Sequence, residues 1–92
     1  MLYMTIITWE PAQRDAVAKR FATVGAKHPA GVKLLGHWID VNGGRAFELT
    51  DWPPAVDPKI LVETSFAWSD LCKIEPVPVM KAEEMMKLLP KV

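Results

Sequence analysis

What this sequence lacks narrows its class before any motif is read. A single cysteine, Cys72, stands among 92 residues, so no internal disulfide holds the chain together. Charge of one sign is missing too: eleven Lys and Arg balance eleven Asp and Glu. Neutralising a row of phosphates takes clustered cations, so nucleic acid is not an expected partner. No stretch approaches the roughly 18 apolar residues of a membrane span. Met1 to Trp9 lacks the basic flank and small-residue cleavage site of a secretory signal, which makes the cytoplasm the expected location. His28, His37 and Cys72 show no ligand spacing such as Cys-x-x-Cys, and there is no Gly-rich phosphate loop. Neither a metal nor a cofactor is expected.

What is present is apolar. Half of the residues are hydrophobic, including four Trp and five Met, a generous supply for one small domain spanning residues 1–92. Leu2 to Trp9 is β-branched and aromatic without a breaker and reads as a strand. Pro11 opens a helix that runs from Ala12 to about Lys27, with Val17, Phe21 and Val24 recurring on one side and Arg14 beside them. His28-Pro29-Ala30-Gly31 stops it. Lys33 to Val41 and Arg45 to about Thr50 flank Asn42-Gly43-Gly44 as a hairpin. Asp57-Pro58 starts a second helix whose stripe is Ile60, Leu61, Thr64, Ala67, Trp68 and Leu71. Cys72 to Val79 is a last strand, and Lys81 to Leu89 a short amphipathic helix.

Pro76 and Pro78 lie two apart and remove donors from the same edge, so the last strand belongs at a sheet edge. The order β-α-β-β-α-β with that edge is a ferredoxin-like α+β fold, an antiparallel sheet with helices on one face. Faces depend on the hairpin loop, because a slip of one residue exchanges them. A two-residue Asn-Gly turn pairs His37 with Glu48 and Trp38 with Phe47. A three-residue loop groups Ile39, Phe47 and Leu49 on the helix side, and Trp38, Asp40 and Glu48 on the other. The hydrophobic pattern favours the three-residue loop. With it, Tyr3, Thr5, Ile7 and Trp9 join the face away from the helices, leaving Leu2, Met4 and Ile6 beneath them. A sheet face carrying such rings is too apolar for water, so a homodimer through that face, enclosing a cavity, is expected.

The opening MLYM, His37-Trp38-Ile39-Asp40, Trp68-Ser69-Asp70-Leu71 and Glu75-Pro76-Val77-Pro78-Val79-Met80 resemble an uncharacterised bacterial domain-of-unknown-function family. That family is placed in the dimeric α/β-barrel superfamily, the antibiotic-biosynthesis-monooxygenase-like group. The resemblance covers nearly the whole chain, departs from the family pattern over Asp51 to Val56, and carries no established catalytic set. It implies a ferredoxin-like subunit whose sheet pairs with a second to form a barrel. The superfamily includes cofactor-free monooxygenases, haem-degrading enzymes, isomerases and proteins without known activity.

The residues themselves offer Asp40 and Glu48 as a carboxylate pair for proton transfer. His37 joins them as a catalytic candidate under the shifted register, as an acid/base partner of Glu48. Tyr3, Trp9 and Trp38 are the candidate ligand-binding rings. Two functions follow. One is a small-molecule-binding protein of the cofactor-free oxygenase or isomerase kind, acting on a hydrophobic substrate in a dimer cavity. The alternative is a non-catalytic binding or stress-related module using the same cavity.

Overall fold

The computed structural model describes residues 1–25, 28–55 and 57–89. Along them run β1 (Leu2–Thr8), α1 (Arg14–Val24), β2 (Lys33–Ile39), β3 (Arg45–Asp51), α2 (Pro58–Phe66), β4 (Lys73–Val79) and α3 (Ala82–Met86). The strands form one antiparallel sheet, side by side as β2-β3-β1-β4, and the domain is α+β. Pro76 and Pro78 lie opposite Thr5 and Tyr3 of β1, and β4 has no strand on its outer flank among the described residues. Without N–H groups at those two positions, a further ladder cannot grow there.

Local chemistry sets the helix ends. Pro11 opens a 3-10 turn, Pro11–Gln13, that leads into α1. Gly25 ends α1 at φ +65°, its N–H donating to the Phe21 carbonyl, while the expected end near Lys27 lies outside the described residues. Asp57 caps α2 by accepting from the Lys59 N–H, with Pro58 at the first helical position. This helix stops at Phe66, short of the expected stripe, and continues as turns to Leu71. Thr64 and Ser65 donate their hydroxyls to the Ile60 and Leu61 carbonyls, and Ser69 donates to Phe66. Such side-chain bonds compete with continued helix. Arg20 of α1 fastens the two helices. Its guanidinium donates twice to Asp70, at 2.7 Å each, and lies 5.5 Å from the centre of the Trp68 ring.

The hairpin overturns the three-residue-loop register. His37 pairs with Glu48, Trp38 with Phe47 and Ile39 with Ala46, so Glu48 shares a face with His37 and not with Trp38. The loop has four residues, Val41 to Gly44, between Asp40 and Arg45. Gly43 adopts φ +81° and donates its N–H to the Asp40 carbonyl at 2.8 Å. The Asp40 carboxylate accepts from the Asn42 N–H at 2.9 Å and from Arg45 Nε at 3.1 Å. Apolar residues occupy both faces of this hairpin, so hydrophobic pattern could not select the register and turn chemistry did. The faces of β1 and β3 are therefore the reverse of expectation. Thr5, Ile7, Ala46, Glu48 and Thr50 face the helices, while Met4, Ile6, Phe47 and Trp38 share the open face.

On β2 the register breaks between Leu34 and Gly36, leaving Leu35 as the extra residue of a bulge. Gly36 has a steric role: a Cβ there would fall inside the Trp38 indole, which lies flat over it on the open face. The result is a sheet with one side under helices and the other bare, where Trp38 is 52% exposed.

Asp40 is held below the usual carboxylate range, first by the Asn42 N–H and then by Arg45. A folded-state pKa below the unfolded one gives stability that is complete at neutral pH and lost as pH falls through the folded value. Asp40→Ala should therefore destabilise the protein near neutral pH, and the gap to wild type should close on acidification below about pH 4. Urea denaturation across that range measures it. A gap that persists in acid would assign the effect to packing instead.

Candidate functional site

Between the covered face of the sheet and the helix layer lies a cavity of about 600 Å³, within the range of small-molecule sites. It lies within the single chain, on the helix side of the sheet. Its floor is a polar row across three strands. Thr5 of β1 and His37 of β2 are the cross-strand partners of Glu48 on β3, and all three side chains line the space. Side chains directly opposite on one sheet face are close enough to act together. Val17 and Phe21 from α1, and Leu61 and Trp68 from α2 and the turn after it, make apolar walls.

Trp9 and Trp52 line the cavity as well. The Trp9 indole donates to the Gly43 carbonyl at 2.9 Å and so ties the end of β1 to the hairpin loop. Buried Trp52 donates to Thr50 Oγ1 at 2.9 Å and meets Tyr3 edge-on. These bonds satisfy the polar end of each indole while its ring stays apolar.

Glu48 is the centre of the site. It is 6% exposed and holds both histidines near its carboxylate. His28 Nε2 lies 3.3 Å from Oε2, and His37 Nε2 lies 3.9 Å from Oε1. The His28 contact lacks hydrogen-bond alignment, and neither buried ring nitrogen of His28 has an aligned partner among the described residues. His28 reaches this place through the turn Pro29–Val32, closed by the Val32 N–H on the Pro29 carbonyl with Gly31 at φ +87°. Phe21 meets the His37 ring edge-on at 5.3 Å and fixes its tilt. A carboxylate flanked by imidazoles in an apolar enclosure has the parts of a proton-transfer site, because low dielectric strengthens each charge interaction there. Two His and one Glu also form a familiar metal-binding composition. Among the described residues, however, no three such donors converge to hold an ion.

Of the residues expected from sequence, Glu48, His37 and Trp9 come together here. Asp40 does not: it closes the hairpin with Arg45, away from the cavity. Trp38 lies on the opposite face, in a shallow groove with Met4, Ile6 and Phe47. Tyr3 packs against Trp52 and does not line the cavity. Sequence reasoning missed His28, reading it as a loop or helix-end residue; only the fold brings it over Glu48. Cys72 is not part of the site. Its thiol donates to the Trp68 carbonyl at 3.4 Å, and burial pushes its pKa up, away from a reactive thiolate.

No helix among the described residues is long and apolar enough to cross a membrane. Residues 1–92 match the family model described as a domain of unknown function, DUF3303. No curated protein and no solved structure matches the chain.

Among the described residues no aligned donor reaches the buried Glu48 carboxylate, and such a group is a cost to folding. Glu48→Gln should therefore raise unfolding stability by about 1 kcal/mol, the trade-off expected where a residue serves function. Denaturant titration checks the sign. A loss of about 3 kcal/mol or more would instead mark Glu48 as one partner of a structural ion pair.

Proposed function

This chain belongs to the DUF3303 family of domains of unknown function, and we propose that it binds a hydrophobic small molecule in the cavity above Glu48. The observation that carries this reading is one cavity joining apolar walls to a buried carboxylate with two imidazoles beside it. Pockets with a few convergent polar groups in an apolar lining are the usual form of small-molecule sites. The chemistry such a site supports is cofactor-free proton transfer, as in an oxygenase or isomerase. Glu48 removes a proton from the bound molecule, and His37 stabilises the negative charge left behind. Hydrophobic ring compounds screened by ligand-observed NMR should give hits that are lost in Ala18→Trp, which fills the cavity from α1. Hits that survive Ala18→Trp would place binding elsewhere.

We further propose that the subunit is ferredoxin-like and dimerises through its open sheet face, two sheets closing as a dimeric α/β barrel. The radius of gyration is 15.1 Å, against about 12 Å for a typical folded chain of this length. Among the described residues only Val17, Ala46, Trp52 and Cys72 are buried apolar residues. A second copy on the Trp38 face supplies the missing cover, and a self-complementary patch closes most simply about a two-fold axis. Sedimentation should give about twice the 10.3 kDa chain mass. Trp38→Asp should shift the equilibrium towards monomer, while a wild-type monomer at micromolar concentration would remove this assembly.

A further inference from the structure

We infer that the cavity's ligand carries a neutral hydroxyl, phenolic or enolic, whose oxygen sits between His37 Nε2 and Glu48 Oε1. This rests on the cavity reading above and sharpens it to a chemical class. The two atoms are 3.9 Å apart, too far for a direct hydrogen bond. That gap suits one bridging oxygen, which at about 2.8 Å from each atom makes an angle near 90° between them. The carboxylate only accepts, so the bridging group must donate a proton to it. In the tautomer that carries its proton on Nε2, the imidazole calls for an acceptor on the same atom. On an organic ligand, a hydroxyl is the smallest group that does both.

Other head groups fit less well. A carboxylate or phosphate head would set a second anion against Glu48, which is 6% exposed and has little water to screen it. An ammonium head satisfies Glu48 but has no lone pair for His37. A head-less hydrocarbon leaves both groups unmatched, at a cost in affinity. Beyond the floor row, the ligand body would meet Val17, Phe21, Leu61 and Trp68. Arg14, Thr64 and Ser65 also line the space, but Arg14 donates to Asp15 and the two hydroxyls donate to the Ile60 and Leu61 carbonyls. Proton transfer in this pose is simple: the ligand O–H bond breaks, an O–H bond forms at Glu48 Oε1, and the electron pair stays on the oxygen facing His37 Nε2–H.

Four probes sharing one body test the head group: butylbenzene, 4-butylphenol, 4-butylbenzoate and 4-butylbenzylammonium, each titrated calorimetrically near neutral pH. The expected result is 4-butylphenol binding at least tenfold tighter than the other three, with that preference lost in His37→Leu. The wild-type series decides the matter even if the variant fails to fold. Equal binding of all four, or tighter binding of a charged probe, would overturn the hydroxyl assignment and leave the cavity reading standing. A phenol preference unchanged in Ala18→Trp would overturn both, because the head group would then be read elsewhere. No binding of any probe would also overturn the assignment.

Discussion

The closure of the β2–β3 hairpin through Asp40 sets which side chains of β2 and β3 stand side by side at the cavity floor. Asp40 accepts from Asn42 and Arg45 by its side chain and from Gly43 by its carbonyl, while its own N–H reaches the Arg45 carbonyl. That set of bonds makes the loop four residues long and pairs His37 with Glu48. Had the loop been one residue shorter, Glu48 would pair with Trp38 and not with His37. One loop carboxylate thus acts on the cavity floor from a distance, through register.

From the register follows a division of labour between the two sheet faces. The covered face sets Thr5, Ala46, Glu48 and Thr50 among Ile7, Ile39 and Ile74, and together these side chains leave space under the helices. The helices are consequently held by their edges: Arg20 clamps α1 to the turn after α2, and Trp9 and Trp52 stand at the cavity's border. The bare face carries the large apolar residues that a core would ordinarily use, Met4, Ile6, Phe47 and Trp38. The large apolar surface is thus left uncovered, and a cavity remains beneath the helices.

Exposed apolar residues continue beyond the sheet. Val62 and Phe66 on α2 are 50% and 70% exposed, as their position off the helix stripe implies. α3 packs against no other element of the described chain, and Met85, Met86 and Leu89 stay exposed. These surfaces add to the apolar area that the bare sheet leaves uncovered.

The sequence by itself determined the element order, the α+β class, the edge position of β4 and the helix starts at Pro11 and Asp57-Pro58. These rest on local chemistry: a missing N–H, a fixed φ, a side-chain cap. It also brought Glu48, His37 and Trp9 into view as residues of interest. It could not decide which of them meet. Both faces of the hairpin are apolar enough to be a core, so the hydrophobic pattern favoured the wrong register, and the choice fell to bonds made at Asp40. His28 was invisible for a different reason. It lies nine residues from Glu48's nearest cross-strand partner His37, in a turn with no motif, and joins the carboxylate only because α1 returns the chain across the sheet. Contacts between distant segments depend on where the backbone travels, and that is a property of the packed fold, not of any local stretch of sequence.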